Sequence, residues 1–129
     1  MELNKIYNID CLKGLKLLDD NSVDLTVTSP PYDDLRNYKG YSFDFENIAK
    51  ELYRVTKTGG ILVWIVGDAT SKGSESGTSF RQALYFKECG FNLHDTMIYE
   101  KNSSSFPAAR TSKRYTQIFE YMFVFSKGK

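Results

Sequence analysis

The chain has 129 residues, of which 41% are hydrophobic and 26% are charged, and its formal net charge is +1. This composition is typical of one soluble globular domain with a core of its own, and it excludes a disordered chain. The sequence contains no run of about 18 uncharged apolar residues and shows no signal peptide. We therefore expect a cytoplasmic protein with no membrane partner.

The cysteine and histidine content argues against a disulfide framework or a metal site. Cys11 and Cys89 lie far apart without a CxxC spacing, and His94 is the single histidine. We expect two reduced thiols and no bound metal.

Apolar residues recur in patterns that predict strands and helices in alternation. The first half predicts, in order, a strand, a helix, an alternating strand, a second helix and a continuous apolar strand, at about residues 5–9, 12–18, 21–29, 45–58 and 61–66. The second half predicts a helix and two strands joined by a loop, at about residues 79–88, 92–101 and 117–126. In the last helix, Phe80, Ala83 and Leu84 are expected to face the core.

This alternation predicts an α/β fold with a mostly parallel sheet. The apolar run 61–66 is expected at its centre, covered on both faces. The last two strands are joined by a loop and not by a helix, so we expect them to pair antiparallel at one edge.

Three short segments follow predicted strands. Asp10 and Cys11 follow the first, residues 29–32 follow the alternating strand, and Gly67 and Asp68 follow the central one. Because ligands of such sheets bind at the carboxyl ends of the strands, we expect these segments to form one site. Each also has a structural interpretation, in which Asp10 caps a helix and the other two segments are turns.

The segment Ser29-Pro30-Pro31-Tyr32 suits chemistry on a nucleobase amino group. Such a nitrogen is a poor nucleophile because its lone pair is delocalised into the ring. The Ser29 side chain and the Pro30 carbonyl could accept its two hydrogens, since Pro31 has no N–H to compete for that carbonyl. Tyr32 offers a ring on which a flipped base can stack.

Residues 101–116 contain no acid and carry four cations, which are Lys101, Arg110, Lys113 and Arg114, with Tyr115 beside the last of them. One interpretation is a solvated loop. The other is a loop that contacts DNA, because clustered Lys and Arg gain free energy from counterion release at phosphates.

Three segments together resemble the amino-group DNA methyltransferases, which modify N4 of cytosine or N6 of adenine. They are "SVDLTVTSPPYDDL", "TGGILVWIVGD" and "RYTQIFEYMFVFSKGK", and they extend over most of the chain. The order is most similar to the permuted class, in which the target-base motif comes first. The resemblance implies a three-layer Rossmann-like fold, S-adenosylmethionine as cofactor and double-stranded DNA as partner.

The same resemblance implies roles for single residues. Ser29, Pro30, Pro31 and Tyr32 would bind the flipped base and act in catalysis. Asp10 would contact the adenosine part of S-adenosylmethionine, with Cys11 beside it, and we add Gly67 and Asp68 as further candidate cofactor contacts.

None of the nine glycines forms the FxGxG cofactor loop of that class. We therefore expect residues 1–129 to be a catalytic domain that stops before this loop. Three alternatives follow, which are a fragment of a longer enzyme, a half that pairs with a second chain or with itself, and a non-catalytic DNA-binding subunit. The sequence leaves the target base and the recognition sequence open.

Overall fold

The computed structural model describes residues 1–31, 43–102 and 113–128, in which helices and strands alternate. In chain order the elements are α1 (Cys11–Leu15), β1 (Val23–Thr28), α2 (Phe45–Val55), β2 (Thr56–Val66), β3 (Thr70–Ser71), β4 (Ser74–Glu75), α3 (Thr78–Cys89), β5 (Asn92–Glu100) and β6 (Phe119–Ser126). No helix in these ranges is long and apolar enough to cross a membrane.

The main sheet has the strand order β1-β2-β6-β5. β1 pairs parallel with β2, whereas β6 pairs antiparallel with both β2 and β5. Strands β1, β2 and β5 therefore run in one direction and β6 runs in the other. The predicted central strand and the predicted antiparallel edge pair are both confirmed. The two short strands β3 and β4 form a separate hairpin that the sequence did not predict.

The prediction of a strand at residues 5–9 is wrong. Ile6 is fully exposed, and the Tyr7 hydroxyl donates to the Glu2 carbonyl at 2.8 Å within the same segment. The segment has the apolar residues of a short strand, but no strand of the described sheets pairs with it.

Helices α2 and α3 cover one face of the sheet. From the helices, the buried side chains are Ile48, Ala49, Leu52, Ala83 and Phe86, and from the sheet they are Leu62, Trp64, Val66, Phe123 and Phe125. Full burial of a side chain of this size is worth about 1.5–3 kcal/mol, so this single layer supplies most of the apolar stabilisation.

The inward face of α3 differs from the prediction. Ser79, Gln82, Ala83 and Phe86 are buried, whereas Phe80 and Leu84 are 47% and 60% exposed. Gln82 faces the sheet because its Oε1 accepts a hydrogen bond of 2.9 Å from the buried Trp64 indole. The hydrogen bond of Gln82 to a buried partner thus decides which face of α3 points inward. The apolar residues of the helix alone did not identify that face.

The opposite face of the sheet is less covered, so the expectation that 61–66 is buried on both faces is wrong for the described residues. Residues on β2 alternate between buried and half-buried. Leu25 and Val27 on β1, which pair with Ile61 and Val63, are 58% and 59% exposed. The described residues therefore provide the sheet and one helical layer of a three-layer fold.

Replacing Gln82 with Leu should destabilise the chain, because the Trp64 N–H would lose its acceptor inside the core. An unsatisfied buried donor costs about 1–3 kcal/mol. Urea unfolding followed by the fluorescence of Trp64, the single tryptophan, measures this. Gln117→Leu, at an exposed position, is the control and should change the free energy of unfolding by less than about 0.5 kcal/mol. Equal midpoints for the two variants would contradict the role of Gln82.

Candidate active site at the carboxyl edge of the sheet

The register of β1 and β2 places two of the predicted segments side by side. Thr28 pairs with Trp64 in the parallel ladder, so the residues after Thr28 run beside Val66 and Gly67. β6 begins at this edge, because Tyr121 pairs with Val66. The described residues that directly follow β5 and directly precede β6, 101–102 and 117–118, therefore lie at the same edge as residues 29–31.

The proline motif leaves β1 as a rigid segment. Ser29 is exposed, Pro30 is buried and Pro31 is half-buried. Two consecutive prolines fix φ and remove two N–H groups, so this backbone presents carbonyl oxygens at a strand end. Tyr32, which completes the motif, lies outside the described residues.

Asp10 is the N-cap of α1, and its Oδ1 accepts a hydrogen bond of 3.1 Å from the backbone N–H of Lys13. The structural interpretation of Asp10 is therefore confirmed. The residue is also exposed, which leaves room for a ligand contact. A place beside the proline motif stays a prediction.

Arg54, which the sequence did not single out, fixes the carboxyl end of α1. Its guanidinium donates to the carbonyls of Leu15 and Leu18, both at 2.9 Å, and to the Asp20 carboxylate at 2.7 Å. The short helix that carries Asp10 is thus attached to the end of α2. Hydrogen bonds to Asp20 and Glu51 raise the pKa of Arg54, so its charge is permanent.

Cys11 is exposed as a residue, but partial burial of its sulfur and then the adjacent Asp10 carboxylate raise the pKa of its thiol. The group is a neutral thiol at neutral pH. A contact with a cofactor would therefore come from a weakly polar thiol and not from a thiolate.

Asp68 is held by the start of α3. Its Oδ1 accepts from Ser76 Oγ at 3.1 Å and from the Ser79 N–H at 2.8 Å, and its Oδ2 accepts from Ser79 Oγ at 2.5 Å. Gly77 stands at the N-cap position with φ of 72°, so it supplies no capping side chain. Asp68 caps α3 in its place. A role in cofactor binding would have to share the same two oxygens.

The segment that links β5 to β6 begins with Lys101, which forms an ion pair with Glu120. Lys101 Nζ lies 2.9 Å from Glu120 Oε1, and the Lys101 N–H donates to the Ile118 carbonyl at 2.7 Å. Lys113 and Arg114 are exposed, and Tyr115 is 99% exposed. Arg110 lies outside the described residues.

The far end of this segment reaches the β3–β4 hairpin, since an Arg114 Nη2 group donates to the carbonyl of Gly73.

The sequence prediction missed the hairpin, Arg54 and the Ser79 contact of Asp68. For the hairpin, the sequence "SKGSESGTS" at 71–79 contains a signal, because a Lys-Gly pair between serines indicates a tight turn. A Ser-Gly-Thr-Ser run before an apolar stretch indicates a helix start.

A family model described as DNA methylase, which groups the N6 and N4 methylases, matches residues 23–129. The match includes the proline motif, β2 and the β5–β6 pair. The chain belongs to this DNA methylase family. The resemblance read from the sequence is confirmed.

Relatives of this chain are named as methyltransferases. The chain is 74% identical over 112 residues to the orphan methyltransferase M.BamHII of Bacillus amyloliquefaciens, which covers 87% of this chain and 41% of that protein. It is 44% identical over 71 residues to the Type II methyltransferase M.BglII of Bacillus subtilis, which covers 50% of this chain and 20% of that protein. The chain thus spans less than half of these two relatives.

Solved structures show the same fold at low identity. The cytosine-N4-specific PvuII DNA methyltransferase superposes with a TM-score of 0.72 at 24% identity, over 95% of this chain and 50% of that one. The M1.HpyAVI–SAM complex superposes with a TM-score of 0.64 at 21% identity, over 95% and 54%. The predicted methyltransferase fold is confirmed, and the chain corresponds to about half of each structure.

Asp68→Ala and Ser79→Ala should each lower the free energy of unfolding by about 1–2 kcal/mol, as loss of a helix cap does. Since the two side chains bind each other, the double variant should lose less than the sum, with a coupling above about 0.5 kcal/mol. Chemical denaturation without any ligand measures the cycle. Asp19→Ala, at an exposed position, serves as control, and additive losses would show that the hydrogen bond between the Asp68 and Ser79 side chains does not stabilise the chain.

Proposed function

We propose that this chain carries the base-binding part of a DNA methyltransferase that modifies an exocyclic amino group, N4 of cytosine or N6 of adenine. The observation that carries the proposal is the position of Ser29, Pro30 and Pro31 at the carboxyl end of β1, directly beside the end of β2. Membership in the DNA methylase family supports it. The competing candidate, a DNA-binding half without activity of its own, draws support from the partial coverage of the relatives.

The residues of the motif would activate the amino nitrogen by geometry. Acceptance of its two N–H groups by the Ser29 side chain and the Pro30 carbonyl would favour a tetrahedral nitrogen, whose lone pair is then free to attack. S-adenosylmethionine, when bound, supplies an electrophilic methyl group on a sulfonium. Preorganised acceptors of this kind act through positioning and electrostatics and need no covalent intermediate on the protein.

Tyr32 would hold the flipped base by stacking. A base that stacks on an aromatic ring gains about 1–3 kcal/mol, and this partly offsets the cost of taking it out of the duplex. The rigid Pro30-Pro31 pair precedes Tyr32 directly, so the direction in which the chain leaves β1 is fixed through Pro31.

For the cofactor, the described residues fit one part of the molecule. Asp10 has an exposed carboxylate with one oxygen engaged by Lys13, and a carboxylate is a good acceptor for ribose hydroxyls. Cys11 would add a neutral thiol next to it. Gly67 and Asp68 lie beside the proline motif at the sheet edge, where Asp68 would act mainly by holding α3.

The DNA duplex would be contacted by residues 101–116. This segment links β5 to β6 at the edge that carries the motif, and Lys113, Arg114 and Tyr115 are exposed there. Arg110 belongs to the same proposed interface. Lys101 is the weakest of these candidates, because its ammonium is paired with Glu120 and both side chains are largely buried.

The open face of the sheet, defined here by Leu25, Val27, Ile61, Val63 and Ile65, is proposed to be covered by the remainder of the catalytic fold. β1 is an edge strand of the described sheet, so its outer side also lacks a neighbour there. Solved structures of the same fold are about twice as long as this chain, and the extra half provides an occupant. A second copy of this chain is the alternative that the experiment below separates.

In the full-length protein, Tyr32→Ala should lower methyl transfer by about fivefold or more, since at least ~1 kcal/mol of stacking is lost. Tyr32→Phe keeps the ring and should retain most activity. Ser29→Ala should reduce kcat while the DNA dissociation constant stays nearly unchanged, because its acceptor works during transfer. Transfer of radioactive methyl to duplex DNA measures all three. Equal losses for the Ala and Phe variants of Tyr32 would overturn the stacking role.

The chain by itself should self-associate through its open face and bind S-adenosylmethionine weakly, because exposed apolar surface beside a free strand edge recruits partners. Fusion to the missing half of a relative should give a monomer that binds the cofactor. Light scattering and calorimetric titration measure both properties. A monodisperse chain that binds the cofactor tightly alone would disprove the need for a second half.

Matched lysine substitutions locate the surface. Leu25→Lys and Val27→Lys, on the open face, should shift the chain toward monomer by placing charges in the contact. Leu84→Lys introduces the same charge at a residue that is 60% exposed on the outer side of α3, and it should leave the association unchanged. Circular dichroism verifies that each variant keeps its helices and strands.

A further inference from the structure

The β3–β4 hairpin extends from the carboxyl end of β2, between Asp68 and the start of α3. Thr70 pairs with Glu75 and Ser71 pairs with Ser74, so Lys72 and Gly73 form a two-residue turn. Both turn residues have positive φ, 50° and 78°. Such turns suit the twist of the paired strands and hold their tip rigidly. The hairpin is therefore a defined projection at the edge that carries the proline motif.

Lys72 is an unusual residue for this turn. Positive φ favours Gly, Asn and Asp, and it is uncommon for a long side chain. In the described residues, the other non-glycine positions with positive φ are Asn4 and Asn21. Lysine thus occupies a position where its backbone preference is poor, and the turn presents its exposed ammonium at the tip.

The charges around the tip are mostly positive. Arg114 donates to the Gly73 carbonyl, which brings Lys113 and Arg114 next to the turn. Lys72 and Lys113 form no ion pair within the described residues. Glu75 lies at the base of the hairpin opposite Thr70, and the Asp68 carboxylate is occupied by Ser76 and Ser79. The tip and residues 113–114 therefore form one basic rim.

We infer that the β3–β4 hairpin is a second DNA-backbone contact, in which Lys72 binds a phosphate of the duplex next to the flipped base. The inference rests on the proposed function, since it takes DNA as the ligand of this edge. It adds an element outside residues 101–116. Because Arg114 links the hairpin to that segment, the two would contact the duplex together and resist displacement as one unit.

The test is the salt dependence of duplex binding by the protein. Each phosphate neutralised by a cation contributes about 0.9 to the slope of log affinity against log salt. Lys72→Asn removes the charge and retains a residue that accepts positive φ, so the turn is preserved. Fluorescence anisotropy with a duplex of about 20 base pairs, between ~50 and 200 mM KCl, should give a slope smaller by about 1. Lys72→Arg keeps the charge and should retain the wild-type slope.

Two further variants separate this inference from the proposed function. Lys87→Gln, in the last turn of α3 and away from the hairpin, should leave the slope unchanged. The variant with Arg110 and Lys113 changed to Ala keeps the bond of Arg114 to the Gly73 carbonyl, so it tests residues 101–116 without disturbing the hairpin. If that variant loses slope and Lys72→Asn does not, the hairpin inference fails and the proposed DNA contact stands. An equal loss for Lys87→Gln also overturns the inference, and wild-type protein without salt-dependent binding overturns both.

Discussion

The parallel pairing of β1 with β2 is the constraint on which the site depends. Once Thr28 lies opposite Trp64, the chain that follows β1 must leave the sheet beside the chain that follows β2. Pro30 and Pro31 then prevent the chain from continuing the strand, and Gly67 ends the other one. A shift of one residue in the register of β1 against β2 would turn the side chains of β1 to the opposite face of the sheet. The position of the motif is therefore secured by the core, because Trp64 is anchored there by Gln82 and by the aromatic rings of Phe86 and Phe45.

Three polar residues, Asp68, Ser76 and Ser79, connect this core to the carboxyl edge of the sheet. Asp68 follows β2 and accepts hydrogen bonds from Ser76 and Ser79, so one carboxylate joins the end of the central strand to the start of α3. That contact holds the first turn of α3, and the bond between Gln82 and Trp64 fixes which face of the helix is turned inward. Residues 69–75 are then held at both ends, and this explains how a hairpin with two residues in each strand keeps a defined position.

Sequence reasoning succeeded where local patterns and burial agree. The spacing of Ile48, Ala49 and Leu52 predicted α2, the apolar run 61–66 predicted the centre of the sheet, and the three family segments predicted the fold and the motif at its edge. It failed where a distant partner decides. Residues 5–9 have the apolar residues of a short strand but no described strand beside them, and α3 turns its Gln82 inward because Trp64 needs an acceptor. Tight turns such as Lys72-Gly73 carry too short a signal to separate from an irregular loop, and contacts such as Arg54 with the α1 carbonyls depend on a fold that must already be known.

The open face and the carboxyl edge are separate surfaces of the same sheet. Leu25 and Val27 point from the face of β1, whereas residues 29–31, the hairpin and residues 113–115 project from its end. A second half of the fold that covers the face would therefore leave the edge accessible to DNA. The two proposed interactions therefore differ in physical character. Cover of the open face by a second half would bury apolar surface, and contact of the edge with DNA would depend on charge complementarity. High salt would strengthen the first and weaken the second, so assembly of the fold and contact with DNA can be varied independently in one protein.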